Sequence, residues 1–288
     1  MGIANVIPGV SGGTIALITE IYEDLINSLK SFDKKSLHYI THLKFNRFIQ
    51  YTNLYFLITV FGGSIVSVFT IASLFEYLFI NYPVLIWSFF FGLIVASIYF
   101  IGKRIRKWDY IIFTFLIIGI GIALYLSFLS PANENNNLFF VFLCGIIGIS
   151  GMMLPGLSGS FILILMGNYE LLMVKAVTNL DVTLLTIFLL GSVFGLITFS
   201  HMLAWLLKNH KNLILALLTG FILGSLRILW PWKEIAESII IDNQEKIISY
   251  NWYFPSSLNI ETILAFILIL LGAISVYLLE NIDIRNTK

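Results

Sequence analysis

Pro8-Gly9-Val10-Ser11-Gly12-Gly13-Thr14-Ile15 and Pro155-Gly156-Leu157-Ser158-Gly159-Ser160-Phe161-Ile162 align without a gap, and the same register carries Tyr22-Glu23 onto Tyr169-Glu170. A self-match of this kind marks an internal duplication and governs the architecture before any single helix is assigned. Further along, Phe91-Gly92-Leu93-Ile94-Val95-Ala96-Ser97 follows the pattern of Thr219-Gly220-Phe221-Ile222-Leu223-Gly224-Ser225 at a shorter offset. The first half therefore carries an insertion, for which the basic segment 30–53 is the natural position. The halves read as residues 1–130 and 138–288, one membrane domain overall, with Pro131-Ala132-Asn133-Glu134-Asn135-Asn136-Asn137 as the seam.

Outward from the motifs the chain is written for lipid. It is 58% hydrophobic and 11% charged over 288 residues, far from the roughly 45–50% and about 25% of soluble domains. Runs long enough to span a bilayer, which takes about 20 residues each, lie at 54–79, 84–101, 110–129, 184–207, 213–230 and 260–279. Shorter apolar arms flank the motifs at 15–29, 138–153 and 161–177, and these suit re-entrant or broken helices better than plain spans. The expected fold is an all-α, multi-pass membrane protein of two inverted repeats, each a motif-bearing re-entrant hairpin plus three transmembrane helices. Three is odd, so the second half inserts upside down relative to the first.

A net charge of +1 gives no basic field for nucleic acid; the cations act as topology signals. With loops 30–47 and 103–107 inside, Lys30, Lys34, Lys35, Lys44, Arg47, Lys103, Arg104, Arg106 and Lys107 are cytoplasmic, joined by Lys208, Lys211, Arg285 and Lys288. A rival topology, in which each motif segment crosses once, scores similarly by charge. The hairpin version is preferred because Lys208 and Lys211 crowd a short loop, whereas Lys233 and Lys246 are diluted by Glu234, Glu237, Asp242 and Glu245. Residues 1–9 have neither the basic start nor the apolar stretch of a secretory signal, so insertion is expected to come from the spans. Cys144 stands alone in an apolar run, which points to packing and to no metal, disulfide or cofactor.

Gly and Pro stop a helix at each motif, and small residues let backbone N–H groups face a cavity at membrane depth. Helix starts after Ser11-Gly12-Gly13-Thr14 and Ser158-Gly159-Ser160 combine N–H donors, a positive dipole end and hydroxyls, which suits a phosphate or carboxylate. Close packing through small residues is the competing explanation. Arg227 lies near the end of an apolar run, where a cation must be paired, wet or snorkelling, and it is a candidate phosphate partner. Glu76 and His201 also sit in apolar runs, where each could take part in proton coupling or reach toward the headgroups, the second being the preferred reading. Glu23 and Glu170 follow the motifs at matched places and serve either to close each hairpin or to couple transport to protons.

The paired P-G-V-S-G-G-T and P-G-L-S-G-S stretches, the Ile21-Tyr22-Glu23 and Asn168-Tyr169-Glu170 continuations and the segment from Gly220 to Trp232 resemble a bacterial polyprenyl-phosphate (undecaprenyl-phosphate) transporter family, formerly a domain of unknown function. The resemblance covers nearly the whole chain. It implies a flippase in the bacterial cell membrane that returns undecaprenyl phosphate from the outer to the inner leaflet for cell-envelope synthesis. Its partner is a polyprenyl phosphate lipid, and it is not an enzyme. One departure is that the first motif has no counterpart to residues 138–149 before it. Undecaprenyl-pyrophosphate phosphatases also have inverted repeats and a similar P-G-x-S-R-S-G stretch. Here Gly12 or Gly159 stands where that motif has its Arg, which removes the bidentate phosphate clamp hydrolysis would need. An anion channel using the same helix ends is the third reading.

Overall fold

The computed structural model describes residues 1–2, 11–241 and 244–286. Pro8-Gly9-Val10 of the first motif and the side chain of Glu76 lie outside the described residues. The first half opens with α1 (Gly12–Ile18) and α2 (Tyr22–Lys30), continues through α3 (Lys34–Thr41) and α4 (Phe45–Tyr51) of the basic insertion, and ends in α5 (Leu54–Asn81), α6 (Pro83–Lys103) and α7 (Tyr110–Phe128). The second half has α8 (Leu138–Met153), α9 (Gly159–Leu165), a π-helical turn (Leu171–Lys175) running into α10 (Ala176–Thr178), then α11 (Val182–Asn209), α12 (Lys211–Leu229) and α13 (Ile260–Asn286). α5, α6, α7, α11, α12 and α13 are long and apolar enough to cross a membrane. The chain is a multi-pass membrane protein.

Local chemistry sets the helix starts. Asp109 accepts the Ile112 N–H at 2.9 Å, Asn137 accepts that of Phe139 at 2.9 Å, and Asp181 accepts that of Leu184 at 3.0 Å. Each relieves one of the unpaired donors that every helix start leaves. Pro83 opens α6, where its missing N–H costs nothing. α5 and α11 both have 28 residues, and each is separated from the next span by one residue, Tyr82 or His210.

One element departs from the all-helical expectation. Between α12 and α13 the chain forms an antiparallel hairpin of β1 (Lys233–Ile241) and β2 (Gln244–Trp252), paired from Lys233↔Trp252 to Ile241↔Gln244. Its physical basis is the density of Ile and aromatic residues in K-E-I-A-E-S-I-I-I and Q-E-K-I-I-S-Y-N-W, which favour a pleated strand.

The spans pack in crossed pairs. α7 lies along α12, with Gly119 beside Leu217 and Gly220, and Ala123 beside Gly224. α6 lies along α13, with Gly92 against Ile269, Gly272 against Phe89, and the Phe100 and Tyr277 rings 6.3 Å apart. Both pairs run parallel, because contacts advance together in sequence on the two partners. At Gly92 and Gly220 a Cβ would collide with the facing carbonyls of Ile269 and Leu116. Such contact between backbones is how helices associate where lipid removes any hydrophobic advantage. Tyr22, Ile18, Ile26, Ile94, Ile101, Leu218 and Ile222 fill the centre. The 103–109 loop and the α11–α12 turn share one end of the bundle, where Arg106, Asp109, Lys208 and Lys211 line a common hollow.

Candidate functional site: two motif loops joined at the centre

The second motif is a turn between antiparallel arms. α8 ends at Met153, the Leu157 N–H donates to the Leu154 carbonyl at 3.3 Å, and Ser158 opens α9 by accepting the Phe161 N–H at 3.3 Å. Gly156 holds φ at +82°, and a Cβ there would stand 2.8 Å from the Ile222 backbone nitrogen of α12. Only glycine satisfies both conditions. α9 then runs back beside α8: Leu163 packs on Gly148, and the Asn168 side chain exchanges hydrogen bonds with the Asn135 backbone at 2.8 and 2.9 Å. The arm leaving the motif thus returns to the linker from which α8 starts.

The first motif is bolted to this turn. Ser11 caps α1 by accepting the Gly13 N–H at 3.1 Å, and its hydroxyl donates to the Leu154 carbonyl at 3.3 Å. Thr14 Oγ1 accepts the Gly156 N–H at 3.0 Å, and the Tyr22 hydroxyl donates to the Met153 carbonyl at 3.0 Å. α1 ends under Arg104, whose guanidinium donates to the carbonyls of Leu17 at 2.8 Å and Ile18 at 3.2 Å and pairs with Glu20 at 2.9 Å. α1 and α9 therefore start close together and run toward opposite ends of the bundle. Their N-terminal partial positive charges converge where the loops meet.

The predicted site residues divide by access. Ser11, Gly12, Gly13 and Thr14 are buried, with Ser11 and Thr14 spent on the joint; Ser158 and Gly159 are half-buried and Ser160 is exposed. Ser158 and Ser160 hydroxyls share a 2.6 Å hydrogen bond at this open side. Among the described residues, the hydrogen bonds and ring contacts of Arg227 go to Ser127, Phe128 and Trp252 and not to either motif. Arg227 sits instead at the C-terminal end of α12, its guanidinium 3.6 Å from the Phe128 ring centre and 4.1 Å from that of Trp252, with Nη1 donating to Ser127 Oγ at 3.3 Å. A hollow of about 390 Å³ opens there, lined by Phe91, Leu226, Arg227, Trp230, Trp252 and Phe254.

Glu23 and Glu170 each meet a lysine, at opposite ends of the bundle. Glu23 pairs with Lys211 at 2.5 Å; Glu170 pairs with Lys175 at 3.5 Å, which also binds Glu134 at 3.0 Å. His201 engages its own helix through Nδ1 and the Ile197 carbonyl at 2.8 Å. Sequence reasoning missed Tyr22, Arg104 and Lys233. The Tyr22 part in the joint was signalled by its recurrence as Tyr169. Lys233, just beyond α12, donates to the Ile228 carbonyl and lies 3.7 Å from the Trp87 ring centre; burial pushes its ammonium down to about 7.

The chain is similar to a polyprenyl-phosphate transporter of Vibrio cholerae serotype O1, 37% identical over 247 residues, which is 86% of this chain and 80% of that protein. It is also similar to a polyprenyl-phosphate transporter of Staphylococcus aureus, 29% identical over 228 residues, 73% of this chain and 76% of that one. No solved structure matches it. Residues 1–247 match the model of the VCA0040-like family, described as undecaprenyl phosphate translocase-like, and the chain belongs to that family.

Proposed function

We propose that this protein is a polyprenyl phosphate transporter that returns undecaprenyl phosphate from the outer to the inner leaflet, without chemical conversion, through two inverted repeats. The observation that carries the reading is the joint itself: two short helices start side by side and diverge toward opposite ends of the bundle. Helix starts at membrane depth favour an anionic substrate group. The crossed pairs support the inversion, since the second span of each half packs along the third span of the other through a matched glycine, Gly92 or Gly220. The basic end is cytoplasmic on this reading.

Ser158, Gly159 and Ser160 form the accessible part of the phosphate site. Ser11, Gly12, Gly13 and Thr14 hold it in place and would open to substrate only as the joint loosens. Arg227 receives the phosphate at the outer end, its guanidinium lying against the Phe128 and Trp252 rings. Glu23 and Glu170 are ion-pair latches on the two faces, breakable by protonation. Hydrolysis is disfavoured because a Cβ at Gly159 would stand 2.6 Å from the Gly148 carbonyl, which excludes the arginine of the phosphatase motif at that place.

The test is purified protein in liposomes with labelled undecaprenyl phosphate scored for leaflet exchange and its pyrophosphate form scored for released phosphate. Exchange without release is expected; release, or anion conductance without exchange, refutes the reading. Arg227→Ala should abolish exchange at normal abundance, and Arg227→Lys should recover only part, because an ammonium lacks the planar fork of the guanidinium. Cysteine labelling in a Cys144→Ser background should place loops 30–47 and 208–211 on the same cytoplasmic side. Labelling from opposite sides removes the inversion.

A further inference from the structure

At the basic end, the first turns of α7 and α12 lie side by side beneath an open hollow of about 550 Å³. Its rim is Arg106, Lys208, His210 and Lys211, with Asp109 as the one acid, and its floor is Ile111, Ile112 and Leu213. Two rim charges are already committed. Asp109 caps α7 through the Ile112 N–H, and Lys211 is paired to Glu23 at 2.5 Å. Among the described residues Arg106 and Lys208 form no ion pair, so even against the Asp109 carboxylate the hollow keeps a net positive charge. No side chain caps the start of α12, whose dipole adds to its field.

The shape selects among anions. Phe113 and Ile117 follow Asp109 at intervals of four residues on one face of α7 and are 56% and 51% exposed, so that face presents apolar surface to lipid next to the hollow. A free anion would use the rim alone; a lipid would use both. Basic hollows between transmembrane helices at the cytoplasmic surface suit phosphate headgroups in this way.

We propose that the hollow between α7 and α12 is a second binding station, separate from the motif loops and from Arg227, for the phosphomonoester headgroup of a membrane lipid whose chain lies along Phe113 and Ile117. Choosing a polyprenyl phosphate as its occupant rests on the transport reading above. The station then holds the headgroup on the cytoplasmic face after translocation.

The experiment uses full-length protein in nanodiscs with Cys144→Ser and Asn209→Cys, and follows thiol modification of the new cysteine. Polyprenyl phosphate should slow modification about fivefold or more, and neutral polyprenol should not. Arg106→Glu with Lys208→Glu should cancel the protection, and so should the milder Arg106→Gln with Lys208→Gln if reversal disturbs folding. Equal protection by inorganic phosphate makes the ligand a free anion and overturns the lipid assignment. Equal protection by phosphatidylglycerol, or none by any lipid, overturns the site. Leaflet exchange measured on the same preparation separates the two claims: protection without exchange retains the station and sinks transport, whereas exchange without protection does the reverse.

Discussion

Replacing Thr14 by valine tests whether the two motif loops are mechanically joined. Valine keeps the shape of threonine and removes one acceptor. Thr14 is fully buried, and its hydroxyl takes the Gly156 N–H at 3.0 Å in a turn that is itself buried. Left unpaired in a buried turn, that donor costs ~1–3 kcal/mol. A central value of about 2 kcal/mol raises the unfolded fraction roughly thirtyfold. Thr14→Ser keeps the acceptor and loses one methyl, so it should cost about 0.8 kcal/mol, less than valine. Tyr22→Phe removes the bond to Met153 in the same turn and should cost roughly 0.5–1.5 kcal/mol. The double variant should fall short of the sum by about 0.5 kcal/mol or more, since both bonds fix one element. Reversible unfolding in mixed micelles measures all four proteins. If valine is within about 0.3 kcal/mol of wild type, or is better tolerated than serine, the hydroxyl does not hold the turn and the joint as described is wrong.

Gly92→Ala and Gly220→Ala should each lower membrane abundance and thermal stability sharply, because the added Cβ meets a carbonyl on the parallel partner helix, whereas Gly62→Ala, with open space around it, should be neutral; equal behaviour of the three would contradict the crossed pairs. Arg104→Met should cost ~1–3 kcal/mol by stripping α1 of the guanidinium that binds its last carbonyls, and a melting temperature unchanged from wild type would dismiss the cap. Lys233 supplies a pH test. Its folded value of about 7 lies below the ordinary lysine value, so the unfolded chain binds more protons between about 7 and 10.5, and stability rises with pH across that window. Lys233→Met should therefore gain most over wild type near neutral pH and progressively less toward alkaline pH; a pH-independent difference would mean that the Trp87 face and the Ile228 carbonyl keep the ammonium fully protonated.

What the sequence exposed and what it hid follow from the range of the forces involved. Six spans are legible because lipid demands about 20 apolar residues in a row, a local property of the chain. The paired motifs are legible because Pro-Gly-x-Ser-Gly recurs in the sequence itself. That Ser11 and Thr14 are occupied by the opposite loop is not legible, since Leu154 and Gly156 lie far away in sequence and only the fold brings them near. Arg227 could be singled out as a costly cation, but its aromatic slot depends on Trp252, delivered by a hairpin that a charge-rich loop concealed. A signal for that hairpin existed: K-E-I-A-E-S-I-I-I is rich in β-branched residues, the composition of a strand rather than of a loop.

The crossed pairing of α6 with α13 and of α7 with α12 also fixes the order in which the protein can mature. When α5, α6 and α7 leave the ribosome, the notch at Gly92 has nothing to receive it, because Ile269 belongs to α13, which is made only after α12 and the hairpin. At about 5–20 residues per second, that wait lasts roughly ten to thirty seconds. Throughout it, the first half sits in the bilayer as an unfinished bundle with glycine faces turned to lipid. Any chain interrupted before α13 leaves α6 permanently without its mate, and a membrane protease that reads loosely packed helices has its substrate in that orphan.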